Sequence, residues 1–321
     1  MRESVRHTAI ELVANAFEKT GVIKAVSRWN RREGGIILAF HEISPAALSR
    51  KLTQVAEQYT FVSLSELVNR LAGGKSTAGL VAITFDDGFK TVIESAVNLA
   101  DSHHWPMTFF LPTRYIDTQE PYWFHELKPL LESAPQKQLS IDHTVLSLVD
   151  QSAIAEAFHI LSKKFCMYSS DEEIDNALRH IRAMLFESEE RPPGLRTPKP
   201  ISWHRVRELS GREDLSFESH SVNHLALSRL TEEAVRMEME RSRSRIEEMT
   251  GRKVAHFCYP YGGPGEIGAV APRMAQRLFS SAVTLVRGRC GRNPNLAFLP
   301  RIALYEQDSE PVVALKVGLA R

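Results

Sequence analysis

Cysteine is scarce in this chain: Cys166, Cys258 and Cys290 are the only three in 321 residues. Three scattered thiols make no disulfide framework, and an odd number leaves one unpaired, so the composition points to a reduced compartment. Charge of one sign is also missing. Forty Lys and Arg stand against 39 Asp and Glu, a net charge of +1, which gives no field to draw nucleic acid or an acidic surface to the protein. Nor is there a long hydrophobic run at the start. The opening MRESVRHTAIELVANAFEKTG alternates charged and apolar residues and reads as neither a secretory signal nor a membrane span. A cytoplasmic location is the expectation. Ile10, Leu12, Val13, Ala16 and Phe17 fall on one helical stripe. They define an amphipathic helical extension over residues 1–33 that either packs on the body of the protein or rests peripherally on a membrane.

What is present is a rhythm of short apolar runs and helical stripes. Residues 80–89 read LVAITFDDGF. Leu80, Val81, Ala82 and Ile83 make a strand buried on both faces, and that strand delivers Asp86, Asp87 and Gly88. Two adjacent carboxylates at a buried strand end repel one another unless a cation or a shared proton offsets the charge. Alone, the stretch reads first as an ordinary Asp-Asp-Gly turn. Ile36–Phe40 is a similar run ending on His41 and Glu42; Met107–Leu111, VAHFCYPYGG, SAVTLVRG and LAFLPRIAL are others. Helical patterns over 46–70, 90–101, 202–209 and 231–250 separate them, with Ser63 or Ser65, Ser202 and Thr231 as N-caps and Gly251 as a stop. Strand, helix and strand in alternation predict a parallel sheet with right-handed crossovers. From about 113 to 200 the rhythm gives way to aromatic residues and polar helical stretches, read as a helical insertion too polar to carry a core of its own. In it, Trp123, His125 and Glu126 form either a substrate wall or a packed aromatic edge.

His220 and His224 bracket HSVNH, a spacing that puts two imidazoles on one side of a turn within reach of one cation. Two histidines and one carboxylate with open positions make a hydrolytic metal site. One of the two aspartates then binds the ion and the other stays free as a base. TFDDG at 84–88 followed by HSVNH at 220–224 resembles the first two motifs of the NodB-type polysaccharide deacetylases (carbohydrate esterase family 4), and the Pro-Tyr-Gly of 260–262 resembles the third.

That resemblance implies a distorted (β/α) barrel of about seven parallel strands over residues 34–321. It also implies hydrolysis of an N-acetyl group from an amino sugar, in a glycan or in a lipid- or nucleotide-linked precursor. It makes Asp86 the general base and Asp87, His220 and His224 ligands of a divalent metal, zinc before cobalt, nickel or manganese. Ser221 would brace the loop, and the main-chain N–H of Tyr261 would hold the oxyanion. Two departures stand out. No arginine precedes the Pro-Tyr pair, where Phe257, Cys258 and Tyr259 stand; Arg301 is either its substitute or an ordinary ion-pair residue. No histidine follows His256, but a Phe-His strand end ahead of TFDDG resembles the circularly permuted branch that deacetylates poly-N-acetylglucosamine, which makes His41 the general acid. The rival readings are a glycan-binding barrel without activity and a C–N hydrolase acting on a non-sugar amide.

Overall fold

The computed structural model describes residues 34–141, 143–195 and 197–320, together with Glu11 and Ala14. The amphipathic extension expected over 1–33 lies outside these residues, Glu11 and Ala14 apart.

Ten strands are described: β1 (Ile36–Phe40), β2 (Thr60–Phe61), β3 (Leu80–Phe85), β4 (Met107–Leu111), β5 (Gln138–Ile141), β6 (Thr144–Ser147), β7 (Leu215–Ser219), β8 (His256–Cys258), β9 (Ser281–Arg287) and β10 (Leu299–Ala303). Seven of them close a parallel barrel in the order β1, β10, β9, β8, β7, β4, β3 and back to β1, while β2 pairs with the first residues of β3. The expected distorted barrel of seven parallel strands is therefore present. Closure is made by the first strand, which pairs with β3 through Ile36↔Val81 to Phe40↔Phe85 and with β10 through Leu38↔Ile302.

Strand periodicity of two sorts the side chains. Ile37, Ala82, Phe110, Cys258, Val283 and Leu299, from six of the seven strands, share one buried cluster with Leu64, Leu67, Val68 and Leu71 of the helix Leu64–Ala72. Only the barrel interior brings six strands to one place. Continuing two residues along β3 and β10 puts Thr84, then Asp86, and Arg301 on the same inward face. Outward-facing residues such as Leu38, Ile83, Phe109 and Phe217 build the larger core beneath the surrounding helices. The caps are those the sequence predicts: Ser63 accepts from Glu66 N–H (3.1 Å), Ser202 from Arg205 N–H (3.3 Å) and Thr231 from Ala234 N–H (3.2 Å).

The segment between β4 and β7 departs from expectation twice. It holds an antiparallel hairpin, β5 with β6, which the sequence reading lacks, beside the helices Trp123–Ser133, Gln151–Phe165 and Asp171–Phe186. It also buries a cluster of its own, with Leu127, Leu130, Leu161, Phe165, Leu178 and Ile181 among its members. Its polar residues cover the outer helix faces, and apolar positions three and four apart meet inside. Buried Glu126 accepts from Arg182 Nε (2.6 Å) and ties two of the helices together. Among the described residues, no helix is long and apolar enough to cross a membrane.

Candidate active site

All seven barrel strands point their C-terminal ends at one mouth, and the residues singled out in the sequence gather there. Asp86 and Asp87 follow β3, His41 follows β1, His220 and His224 follow β7, Tyr261 follows β8, and Arg301 lies within β10. Asp86 and Arg301 are both buried and form a two-pronged pair, Nη1 to Oδ1 at 2.8 Å and Nη2 to Oδ2 at 2.6 Å. Arg301 also donates to Thr84 Oγ1 (3.0 Å) and to the Thr284 carbonyl (2.8 Å), so its guanidinium is held on both sides. Burial alone would push the Asp86 carboxyl up, but the Arg301 charge and hydrogen bonds outweigh it and hold the carboxyl down at about 2. His41 Nε2 stands 3.3 Å from Asp86 Oδ2. Of the two readings of Arg301, the structure shows a buried ion pair, and its partner is Asp86. Cys258, standing close before the Pro-Tyr pair, puts its Sγ 3.1 Å from Arg301 Nη2.

Asp87 turns the other way. Its Oδ1 faces His220 Nε2 at 3.5 Å and His224 Nε2 at 3.4 Å. His220 Nδ1 lies 2.8 Å from the Cys258 carbonyl. A carbonyl oxygen only accepts, so Nδ1 carries a proton and Nε2 is the ring atom aimed at the carboxylate. Burial alone would lower the His220 pKa, but Cys258 and Asp87 outweigh it and raise the pKa well above the usual imidazole value, whereas burial lowers that of His224. Asp87 Oδ1 accepts no hydrogen bond in this arrangement. Three buried ligand atoms converging on one point call for a shared proton or a cation among them, and two imidazoles with one carboxylate are a donor set for a zinc-like divalent ion. The residues fit the group.

The rim is strained. Asp87, Ser221, His224 and Tyr261, none of them glycine, all lie in the left-handed region with φ of 68°, 65°, 54° and 61°. Such conformations cost about 1–2 kcal/mol each and persist where surrounding structure enforces them. Ser221 Oγ accepts from His224 N–H (3.0 Å) and so closes the turn between the two histidines. Glu238 grips the same loop, accepting from the N–H groups of Val222 and Asn223 (both 2.9 Å) and from Asn223 Nδ2 (2.7 Å). Tyr122 Oη donates to the Asp87 carbonyl. After Tyr261, Gly262 leaves no room for a side chain, since a Cβ there would meet Leu285 N at 2.6 Å. The Tyr261 main-chain N–H has no acceptor among the described residues.

The model of one known family, polysaccharide deacetylase, matches residues 73–267, more than half of the chain. The chain belongs to the polysaccharide deacetylase family. No curated protein sequence matches it significantly. Solved structures of deacetylases share its fold: PplD of Streptococcus pyogenes, in complex with acetate (15% identity, 88% of this chain and 98% of that one, TM-score 0.58); IcaB of Ammonifex degensii (17%, 89% and 97%, 0.55); and the deacetylase domain of BpsB from Bordetella bronchiseptica (13%, 84% and 95%, 0.52).

In this deacetylase the mouth opens into a cavity of about 540 Å³, lined by His41, Asp86, Asp87, His220, His224 and Tyr261 together with side chains of the insertion. Of the three insertion residues singled out in the sequence, Trp123 and His125 line the cavity, whereas Glu126 turns away to Arg182. Sequence reasoning missed Glu238, Tyr122, Phe158 and Ser162. Glu238 carried a usable signal, a carboxylate on the apolar stripe of Val235 and Met239, where only a buried partner would hold it.

Proposed function

We propose that this polysaccharide deacetylase is a metal-dependent hydrolase that removes the N-acetyl group of an amino sugar, in a glycan or a lipid- or nucleotide-linked precursor used for surface polysaccharide. The carrying observation is the convergence of Asp87 Oδ1 with the Nε2 atoms of His220 and His224, beside an Asp86 locked by Arg301. Asp87, His220 and His224 would hold the ion, zinc before cobalt, nickel or manganese. When bound there, a divalent cation acidifies a water molecule and polarises the amide carbonyl. Asp86 is the general base, a carboxylate that stays ionised at neutral pH. Arg301 keeps Asp86 ionised and aimed. The unpartnered N–H of Tyr261 is a donor for the oxyanion, and Ser221 braces the histidine loop. His41, 3.3 Å from Asp86, supplies the proton with which the nitrogen leaves as a neutral amine. Acetate and a free amino sugar result. Arg301 removes the motive for a barrel without activity, because Asp86 has its partner.

Residues 34–321 form the catalytic barrel in this reading, and 113–200 its insertion. A cytoplasmic location, supported by the three free thiols, and peripheral contact with the inner membrane face belong to the same proposal.

The test is to purify the protein without chelator, then measure bound metal by mass spectrometry and acetate release from N-acetylated sugars. Wild type should carry near-stoichiometric divalent metal. Asp86→Asn should keep it and lose about 10²–10⁴-fold in turnover, and His220→Ala should lose both. A metal-replete and active His220→Ala protein refutes the assignment.

A further inference from the structure

The insertion lies across the mouth in a way that amide hydrolysis does not require. Trp123 and His125 sit on the first turn of the helix Trp123–Ser133. Trp123 donates its indole N–H to Tyr261 Oη (3.1 Å), in the loop after β8. His125 pairs through Nε2 with Glu42, in the loop after β1. β1 and β8 stand on opposite sides of the ring, with β9 and β10 between them one way and β3, β4 and β7 the other. The turn therefore bridges the mouth and roofs the half above β3, β4 and β7. Access remains from the half above β9 and β10, where Leu285 and the exposed Tyr305 border the cavity.

A polymer threaded through an active site needs an exit on each side, and here one side is walled. The wall is aromatic, built of Trp123, Phe124 and Phe158. Phe158 and Ser162 lie four residues apart on one face of the helix Gln151–Phe165. Among the described residues, no Lys or Arg lines the cavity, which suits an uncharged ring. Its volume of about 540 Å³ is that of a single small-molecule site.

We propose that the cavity takes one uncharged N-acetylated pyranose, free or at the end of a chain, and excludes the interior units of a polymer. The ring packs against the aromatic wall, and the insertion is the specificity element. This inference rests on the deacetylase reading above.

The experiment uses two probes, the methyl glycoside of N-acetylglucosamine and the N-acetylglucosamine hexamer. Binding to the full-length Asp86→Asn protein is measured by calorimetry, and acetate release by wild type is mapped along the hexamer by mass spectrometry. The two dissociation constants should agree within about threefold, and the hexamer should lose one acetate, from a terminal unit. Phe158→Ala should weaken glycoside binding about tenfold, the loss of one aromatic contact of the wall. Several acetates lost from interior units, or affinity rising more than about tenfold with length, overturns the one-ended cavity and leaves the deacetylase reading standing. Neither binding nor acetate release with any probe defeats that reading and this inference with it.

Discussion

The Asp86–Arg301 pair offers the sharpest test of how the site is held. Replacing Arg301 by Met keeps much of the side-chain volume and removes the charge, stranding a carboxylate that is 2% exposed. Breaking a buried pair from one side costs about 3–5 kcal/mol, or roughly 6–15 °C in Tm for a chain of this size. Asp86→Asn should be costly too, because it leaves the guanidinium buried and unpaired. The double variant removes both charges and should fall short of the sum of the singles by about 2 kcal/mol or more. Urea denaturation in the presence of chelator keeps any bound metal out of the measurement. Acid gives a second reading. The Asp86 carboxyl lies at about 2 against 3.8 for its ordinary value, and each unit is worth about 1.4 kcal/mol. The pair thus contributes about 2–3 kcal/mol that is present above pH 4 and lost as pH falls through 2. In Arg301→Met the sign inverts, since burial alone raises the carboxyl and acid then stabilises the fold. Additive single variants, within about 0.5 kcal/mol, and an unchanged acid limb would refute the reasoning.

Other outcomes follow from the same geometry. Glu238→Ala removes three hydrogen bonds to the histidine loop and should cost about 2–3 kcal/mol with a 10–100-fold loss of metal affinity; lost stability with unchanged affinity in a metal titration would make Glu238 merely structural. Burial lifts the Glu218 carboxyl to about 8 from 4.5, so the folded protein keeps a proton that the unfolded chain releases, and stability falls as pH rises from about 4.5 to 8. Glu218→Gln should flatten that limb, worth roughly 5 kcal/mol; parallel pH profiles of the two proteins by chemical denaturation would contradict it. His41→Ala should slow acetate release by about 10²–10⁴-fold with metal content unchanged, and wild-type rates in that variant would remove His41 from the mechanism.

The barrel was legible because its strands are continuous apolar runs, and a run buried on both faces leaves few other architectures. The acidic and histidine motifs were legible because each set lies within five residues. Long-range pairings were not. Arg301 meets Asp86 across 215 residues, and only the closure of β10 against β1 decides that its side chain faces inward. The insertion core escaped notice because Ile154, Leu161, Ile174 and Ile181 are spaced by helical turns and diluted with Lys, Glu and Arg on the outer faces. The hairpin of QLSI and TVLS is too short and polar to register as two strands.

Closure by the first strand also sets an order of assembly. β1 holds an edge between β3 and β10, so a chain still on the ribosome, with Leu299–Ala303 unmade, is an open sheet with bare edges on β1 and β9. Such edges invite pairing with other chains, and contacts this far apart in sequence form slowly. Until that strand arrives, Asp86 has no counter-charge and the sheet no closed interior. Translation thus supplies Asp86 early and Arg301 late, and the buried pair between them forms only when the strand that carries Arg301 has taken its place in the ring.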